Sequence, residues 1–92
     1  MISIIIPTYN EGRTIEKLID NLNKNIDIEE YEIIIVDDFS NDNTEKILNN
    51  CKSKYKNISQ IIKNTKNFGK GYSIKRGIES SKGDIILFQD AD

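Results

Sequence analysis

Short apolar runs alternate along this chain with stretches in which apolar residues recur every three or four positions. The runs are rich in β-branched residues and predict strands near residues 2–7, 31–37, 58–63 and 84–89. The intervals between them are too long for hairpins. The pattern therefore predicts strands that alternate with helices, in the order βαβαβαβ.

Each of the three intervening stretches places apolar residues on one face of a helix. Asp42, followed three residues later by Glu45, resembles a capping box that opens the second helix. Gly83 stands where the third helix would end. The residues that define the apolar faces are Ile15, Leu18, Ile19 and Leu22, then Ile47, Leu48, Cys51 and Tyr55, and finally Ile74 and Ile78.

Strands joined by helices pair in parallel, are covered on both faces and cross over with right-handed geometry. The fold class predicted from this order is a three-layer α/β/α domain with a Rossmann-like parallel sheet, spanning residues 1–92 as one domain. In such sheets ligands bind beyond the carboxyl ends of the strands, where the strand order reverses. Candidate functional residues are therefore sought where each strand ends.

Composition limits the classes of partner and the compartment. Thirteen Lys plus Arg against 15 Asp plus Glu give a net charge of -2, which argues against a nucleic-acid partner. The single cysteine, Cys51, has no partner for an internal disulfide, and no apolar run has the length of a membrane span. We expect a cytoplasmic protein. The composition is also compatible with a longer parent chain that is associated with the cytoplasmic face of a membrane.

Polar residues gather where three of the predicted strands end. The first strand runs into Pro7 and "TYNEG", the second into Asp37 and Asp38, and the fourth into "QDAD". Each feature has an ordinary structural alternative: Pro7 ends a strand, Asn10 caps the first helix, and Asp38 or Ser40 caps the second. Their coincidence at one edge favours a binding site, because converging carboxylates repel one another unless a cation or ligand donors lie between them.

The acidic pair Asp90 and Asp92 indicates which cation this would be. The chain contains no histidine and no second cysteine, so oxygen ligands suit Mg²⁺ or Mn²⁺ better than zinc. Such ions bridge carboxylates to substrate phosphates. Neither the dinucleotide fingerprint nor the P-loop motif is present, which argues against hydride transfer and ordinary ATP hydrolysis.

Four ordered motifs resemble the family 2 glycosyltransferases of the GT-A fold, which use a nucleotide-sugar donor. They are "IIIPTYNEG", "IIIVDDFSNDNT", "NFGKGYSIKRG" and "GDIILFQDAD", and together they cover essentially the whole chain. The resemblance implies a sheet ordered 3-2-1-4. It places the reversal between the first and fourth strands, so that Pro7 to Glu11 would face Asp90, with Asp38 at the same opening.

The resemblance also implies roles for individual residues. Asp38 matches the residue that recognises the base, with Asp37 beside it. Asp90 and Asp92 match the Asp-x-Asp (DxD) pair that binds magnesium or manganese and holds the donor diphosphate. The residues that would border the base and ribose of the nucleotide are Pro7, Tyr9 and Glu11. The glycine-rich basic segment near the phosphates would comprise Gly69, Lys70 and Arg76.

Within the family the chain looks most like the branch that moves mannose or glucose from a UDP- or GDP-sugar onto dolichyl or undecaprenyl phosphate. Ser73 stands where alanine is more usual, and Asn43 replaces a common glycine. Family members continue well past the Asp-x-Asp motif. We therefore expect this chain to be the donor half of a glycosyltransferase, inactive in transfer alone, and to form a homodimer through the open edge of strand 84–89.

Other functions are compatible with an α/β chain of this kind. A sugar nucleotidyltransferase would need a long glycine- and arginine-rich loop after the first strand, which "PTYNEG" is not. A phosphoacceptor receiver domain would need an aspartate after the third strand, where Lys63 and Asn64 stand. A non-catalytic nucleotide-binding or folding module remains the main alternative.

Overall fold

A computed structural model of the chain describes residues 1–26 and 30–91. The predicted strand and helix order is confirmed, with strand ends within one residue of the predicted ones. The elements are β1 (Ile2–Thr8), α1 (Ile15–Asn25), β2 (Tyr31–Asp37), α2 (Thr44–Lys54), β3 (Ile58–Lys63), α3 (Lys70–Ser80) and β4 (Ile85–Phe88). Among the described residues, no helix is long and apolar enough to cross a membrane.

The four strands form one parallel sheet in the order β3-β2-β1-β4, as predicted. β1 lies between its two neighbours, with Ile4 level with Ile33 of β2 and with Leu87 of β4. The strand order reverses between β1 and β4, since the chain leaves β1 toward β2 and β3 and returns to the other side of β1. This reversal fixes where the carboxyl ends of the strands open a cleft.

Helices cover both faces of the sheet. On one face α1 and α2 enclose the larger apolar cluster, in which Ile6, Ile15, Ile35 and Leu48 are almost completely buried. On the other face α3 lies across β1 and β2, over the smaller cluster of Ile5, Ile34 and Val36. The arrangement is the predicted α/β/α architecture, stabilised by isoleucines that alternate between the two faces of β1 and β2.

The apolar stripe predicted for α3 is wrong in part. Ile78 is 40% exposed, whereas Ser73 and Gly77 are the buried residues of this helix. A Cβ atom on Gly77 would lie 2.5 Å from Cγ2 of Ile5, so the helix backbone sits directly on β1. Small residues therefore make the contact, and a 3.6-residue search for large apolar side chains cannot detect it.

The predicted helix ends also differ at two positions. α3 ends at Ser80, and Gly83 lies beyond it against β1, where a Cβ atom would meet the carbonyl oxygen of Met1 at 2.7 Å. At α2 the carboxylate of Asp42 accepts a hydrogen bond from the backbone N–H of Thr44 at 2.9 Å. Glu45 instead pairs with Lys63 of β3, so the reciprocal capping box does not form.

β4 forms an open edge of the sheet in the described chain. Ile85, Leu87 and Phe88 are 55%, 49% and 56% exposed. Ile86, by contrast, packs against the smaller cluster beneath α3. The open edge strand therefore exposes Ile85, Leu87 and Phe88, whereas Ile86 is partly buried.

A buried carboxylate joins the strands at the amino edge of the sheet, opposite the cleft. Glu32 of β2 is 4% exposed, and it accepts hydrogen bonds from the hydroxyl groups of Ser3 and Ser59 at 2.6 and 2.7 Å. The backbone N–H of Lys82 donates to it at 2.7 Å. Burial pushes the pKa of Glu32 up, but these hydrogen bonds more than compensate and lower the pKa below its usual 4.5.

A depressed pKa makes Glu32 a source of pH-dependent stability. The contribution is fully present above the unfolded pKa of 4.5 and is lost as the pH falls through the lower folded value. We expect Glu32→Gln to cost about 1–2 kcal/mol at neutral pH and to weaken the fall in stability below pH 4.5. Urea unfolding at pH 7 and pH 3.5 measures both effects. Glu79→Gln, on an exposed position of α3, is the control, and equal pH slopes in the two variants would contradict the prediction.

Candidate functional site

A cleft of about 230 Å³ opens at the carboxyl edge of the sheet, at the strand-order reversal between β1 and β4. This volume is below the roughly 300–1,000 Å³ of complete small-molecule sites. Its walls come from the segments that follow β1, β2 and β4 and from the start of α3. The lining residues are Pro7, Thr8, Tyr9, Glu11, Asp38, Lys70, Ser73, Asp90 and Ala91.

Hydrogen bonds between the loop that follows β1 and the loop that follows β2 fix the wall of the cleft formed by the first of these loops. The backbone N–H of Asn10 donates to the hydroxyl oxygen of Ser40 at 2.8 Å, and the Asn10 side chain accepts from the backbone N–H of Asn41 at 2.9 Å. Asn10 has a φ of 51°, a left-handed conformation that asparagine tolerates. The alternative roles of Asn10 and Ser40 as helix caps are therefore wrong, since both hold the two loops together.

Asp38 projects from the end of β2 into a cluster of donors. Its Oδ1 accepts from Nδ2 of Asn64 and from the backbone N–H of Phe68, both at 2.8 Å, and its Oδ2 accepts from the backbone N–H of Gly69 at 2.8 Å. Burial pushes the pKa of Asp38 up, but these donors more than compensate and hold it below its ordinary value. Asp38 is therefore an ionised acceptor at neutral pH, and it anchors the loop that begins α3.

Asn64 connects Asp38 to α3. This asparagine is 1% exposed, and its Nδ2 also donates to the hydroxyl oxygen of Ser73 at 3.0 Å. Its Oδ1 accepts from Nη1 of Arg76 at 2.9 Å. Arg76 is thus held to the side of the cleft by Asn64. Its predicted contact with the phosphates stays a prediction, and it does not line the cleft.

Asp37 also lies outside the cleft, although it precedes Asp38 directly. It is 1% exposed, its Oδ1 accepts from the hydroxyl group of Ser40, and its Oδ2 has no hydrogen-bond partner among the described residues. Burial raises the pKa of Asp37 above its ordinary value, partly offset by Ser40. In this structure Asp37 supports the loop that carries Ser40, and direct contact with a nucleotide stays a prediction.

Asp90 reaches the cleft from the end of β4. The parallel ladder continues past the strand through a 3.0 Å hydrogen bond from the backbone N–H of Gln89 to the carbonyl oxygen of Ile5. Two residues further, the hydroxyl group of Thr14 donates to the carbonyl oxygen of Ala91 at 3.1 Å. Asp90 forms an ion pair with Lys70 across the cleft, with both side chains 55% exposed. The acid and the base predicted near the phosphates therefore lie together.

The described residues supply part of a binding site for a divalent cation. The carboxylate of Asp90 is a hard oxygen ligand on the cleft wall, and Mg²⁺ or Mn²⁺ takes one or two such ligands together with phosphate oxygens and water. No group of three or more histidine, cysteine or acidic side chains suited to a metal occurs within residues 1–26 and 30–91. Asp92, the second acid of the predicted pair, lies outside the described residues.

The sequence predicted most of the residues that line the cleft, but it did not predict the side chains that hold those residues in place. Six of the predicted residues line it, namely Pro7, Tyr9, Glu11, Asp38, Lys70 and Asp90. The supporting side chains Asn64 and Thr14 were missed. A signal existed for Asn64, a polar residue directly after β3 at the same edge of the sheet, whereas a hydroxyl group that begins a helix gives no signal of its own.

Comparison with known proteins identifies the family. Residues 3–92 match the family described as "Glycosyl transferase family 2". The poly(ribitol-phosphate) beta-glucosyltransferase of Bacillus spizizenii is 42% identical over 92 residues, 99% of this chain and 14% of that protein. The dolichol-phosphate mannosyltransferase of Pyrococcus furiosus is 36% identical over 91 residues, 99% of this chain and 25% of that protein.

Solved structures give the same result. A mannosyltransferase from Pyrobaculum calidifontis in complex with GDP-Man and Mn²⁺ matches with a TM-score of 0.89 and 26% identity, over 99% of this chain and 27% of that one. S. aureus TarS in complex with UDP-GlcNAc matches with a TM-score of 0.85 and 30% identity, over 99% of this chain and 26% of that one.

The chain therefore belongs to glycosyltransferase family 2, and the predicted family and GT-A fold are confirmed. Polyprenyl-phosphate sugar transferases stand among its relatives, in agreement with the predicted branch. The chain spans between 14% and 31% of the length of the curated relatives it matches.

Proposed function

We propose that this chain supplies the donor site of a transferase that moves a sugar from a UDP- or GDP-sugar to an acceptor such as a polyprenyl phosphate. One observation carries the proposal: six residues that the family resemblance assigns to the donor line a single cleft at the strand-order reversal. Tyr9 is 43% exposed beside Pro7 and offers a ring to the nucleoside, while Asp38 faces the base.

The proposed phosphate end of the site lies at Lys70 and Asp90. Lys70 supplies a positive charge at the start of α3, where the helix terminus also favours anions. Asp90, with Asp92, would hold Mg²⁺ or Mn²⁺ against the diphosphate. When bound, such an ion supplies Lewis-acid stabilisation to the departing nucleoside diphosphate. The supporting facts are the oxygen chemistry of Asp90 and the Mn²⁺ in a solved relative.

The proposed acceptor follows from the relatives named for dolichol or dolichyl phosphate. A phosphate acceptor is already an anion and needs no strong general base.

Cys51 is a free, buried thiol, which suits the reducing cytoplasm. We therefore also propose a cytoplasmic location, with the whole protein at the cytoplasmic face of a membrane. Cell fractionation with an antibody to the native protein tests this placement.

Calorimetry with nucleoside diphosphates tests the donor site. UDP or GDP should bind in the presence of Mn²⁺ or Mg²⁺ and lose at least about tenfold in affinity when a chelator is added, because the carboxylates then oppose the phosphates. Unchanged affinity with chelator would contradict the metal bridge. A parallel assay of sugar-nucleotide hydrolysis separates a transferase donor site from a non-catalytic nucleotide-binding module, which would bind without turnover.

For the 92-residue chain alone, we propose a homodimer in which the β4 edges of two copies pair in antiparallel fashion. The open edge offers unpaired backbone groups and the exposed side chains of Ile85, Leu87 and Phe88. Light scattering should show a dimer that Leu87→Lys converts to monomer. Ile78→Lys, on the exposed face of α3, is the control and should leave the dimer intact. An unsubstituted 92-residue chain that stays monomeric at high concentration would contradict this arrangement.

A further inference from the structure

We infer that Asp38 selects a base with a single ring N–H between two carbonyl groups, uracil or thymine, over guanine and cytosine. This inference rests on the proposed function, in which Asp38 faces the base of a nucleotide-sugar. The known relatives leave the question open, since one solved neighbour holds GDP-Man and another holds UDP-GlcNAc. The hydrogen bonds already made to Asp38 provide the argument.

The protein itself uses most of the accepting capacity of Asp38. An ionised carboxylate has about four lone-pair sites, two on each oxygen. Both sites on Oδ1 are used, by Nδ2 of Asn64 and the backbone N–H of Phe68, each at 2.8 Å. One site on Oδ2 is used by the backbone N–H of Gly69 at 2.8 Å. A single acceptor site, on Oδ2, is left for a ligand in the cleft.

Arg76 fixes this distribution through Asn64. The guanidinium of Arg76 is a donor only, so it requires the carbonyl oxygen of the Asn64 side chain at their 2.9 Å contact. The amide nitrogen of Asn64 must then point the other way, toward Asp38 and Ser73. Because Asn64 is buried, its amide cannot exchange these partners for water. Arg76 is therefore a positioning residue that keeps Oδ1 of Asp38 saturated.

Pyrimidine and purine bases differ in what they present to one acceptor site. Uracil and thymine have one N–H between two carbonyl groups, so a single acceptor satisfies either of them. Guanine has an N–H and an amino group side by side, which pair best with both oxygens of a carboxylate, and here one of those donors would be desolvated without a partner. Cytosine has a ring nitrogen that accepts, and its lone pair would face the Asp38 carboxylate.

A series of ligands tests this inference without altering the protein. UDP, CDP, GDP and 3-methyl-UDP are titrated calorimetrically into the chain with Mn²⁺. UDP should bind at least about tenfold more tightly than each of the other three, as expected for one hydrogen bond to a charged group. A smaller ratio of affinities between UDP and any of the other three overturns the base assignment but leaves the proposed function standing. Failure of all four to bind overturns the proposed function and the base assignment with it.

A matched pair of variants tests the positioning role of Arg76. Arg76→Met should free the Asn64 amide and lower the preference for UDP over GDP by at least about threefold, while leaving the affinity for pyrophosphate with Mg²⁺ unchanged. Lys75→Met, an exposed neighbour on α3 with the same charge, should change neither quantity. An unchanged preference in Arg76→Met, or a fall in its pyrophosphate affinity, would overturn the positioning role, the latter because it shows direct contact with phosphate.

Discussion

Asp90→Ala should reduce nucleoside diphosphate binding in the presence of Mn²⁺ by at least about a hundredfold, since it removes a charged ligand from the proposed metal bridge. The same substitution should have the opposite effect when a chelator is present. Without a cation, the carboxylate of Asp90 opposes the phosphates across the cleft that it shares with Lys70, so its removal should raise the metal-free affinity. Calorimetry under both conditions measures this reversal.

Glu79→Ala provides the control for Asp90→Ala. Glu79 lies on an exposed position of α3 and contributes the same charge, but it does not line the cleft. Its removal should change binding by less than about twofold under either condition, because exposed charges are screened by salt. Equal effects of the two substitutions would show that Asp90 acts only through net charge, and a loss of affinity by Asp90→Ala with chelator present would contradict the metal bridge.

The fold could be predicted because its main contacts are made by large apolar residues in regular patterns. Isoleucine runs marked β1 and β2, and a three- and four-residue spacing marked α1. α3 was predicted as a helix, but its buried face was not, because its contact with the sheet is made by Ser73 and Gly77, whose small size allows the backbone to approach Ile5. Periodicity detects large buried side chains, and a close approach through small ones leaves no such trace.

The cleft residues could be predicted for a different reason. Parallel strands bring their carboxyl ends to one edge, so Asp38 and Asp90 had to lie near each other once the strand order was known. The network behind them could not be foreseen. Arg76 lies on α3 and Asn64 directly follows β3, and the sequence spacing of 12 residues between them does not determine whether the Arg76 side chain reaches Asn64 or a phosphate.

Gly83→Ala should destabilise the chain by about 2–4 kcal/mol. The added Cβ atom would lie 2.6 Å from the hydroxyl oxygen of Ser3, 2.7 Å from the carbonyl oxygen of Met1 and 2.8 Å from the backbone nitrogen of Ser3. Two of these atoms belong to the backbone of the β1 segment and cannot rotate away. Relief therefore requires the segment before β4 to move off β1, which also breaks the 2.8 Å hydrogen bond from the Gly83 N–H to Ser3.

Gly71→Ala makes the matching control, because an added Cβ atom there meets nothing within 4 Å and the residue lies in the first turn of α3. It should leave the stability unchanged or raise it by up to about 0.5 kcal/mol. Urea unfolding measures both variants. Because β4 carries Asp90 into the cleft, Gly83→Ala should also weaken metal-dependent nucleotide binding, while Gly71→Ala should not. A stability of Gly83→Ala within about 0.5 kcal/mol of the unsubstituted chain would show that β4 is not held against β1 by this contact.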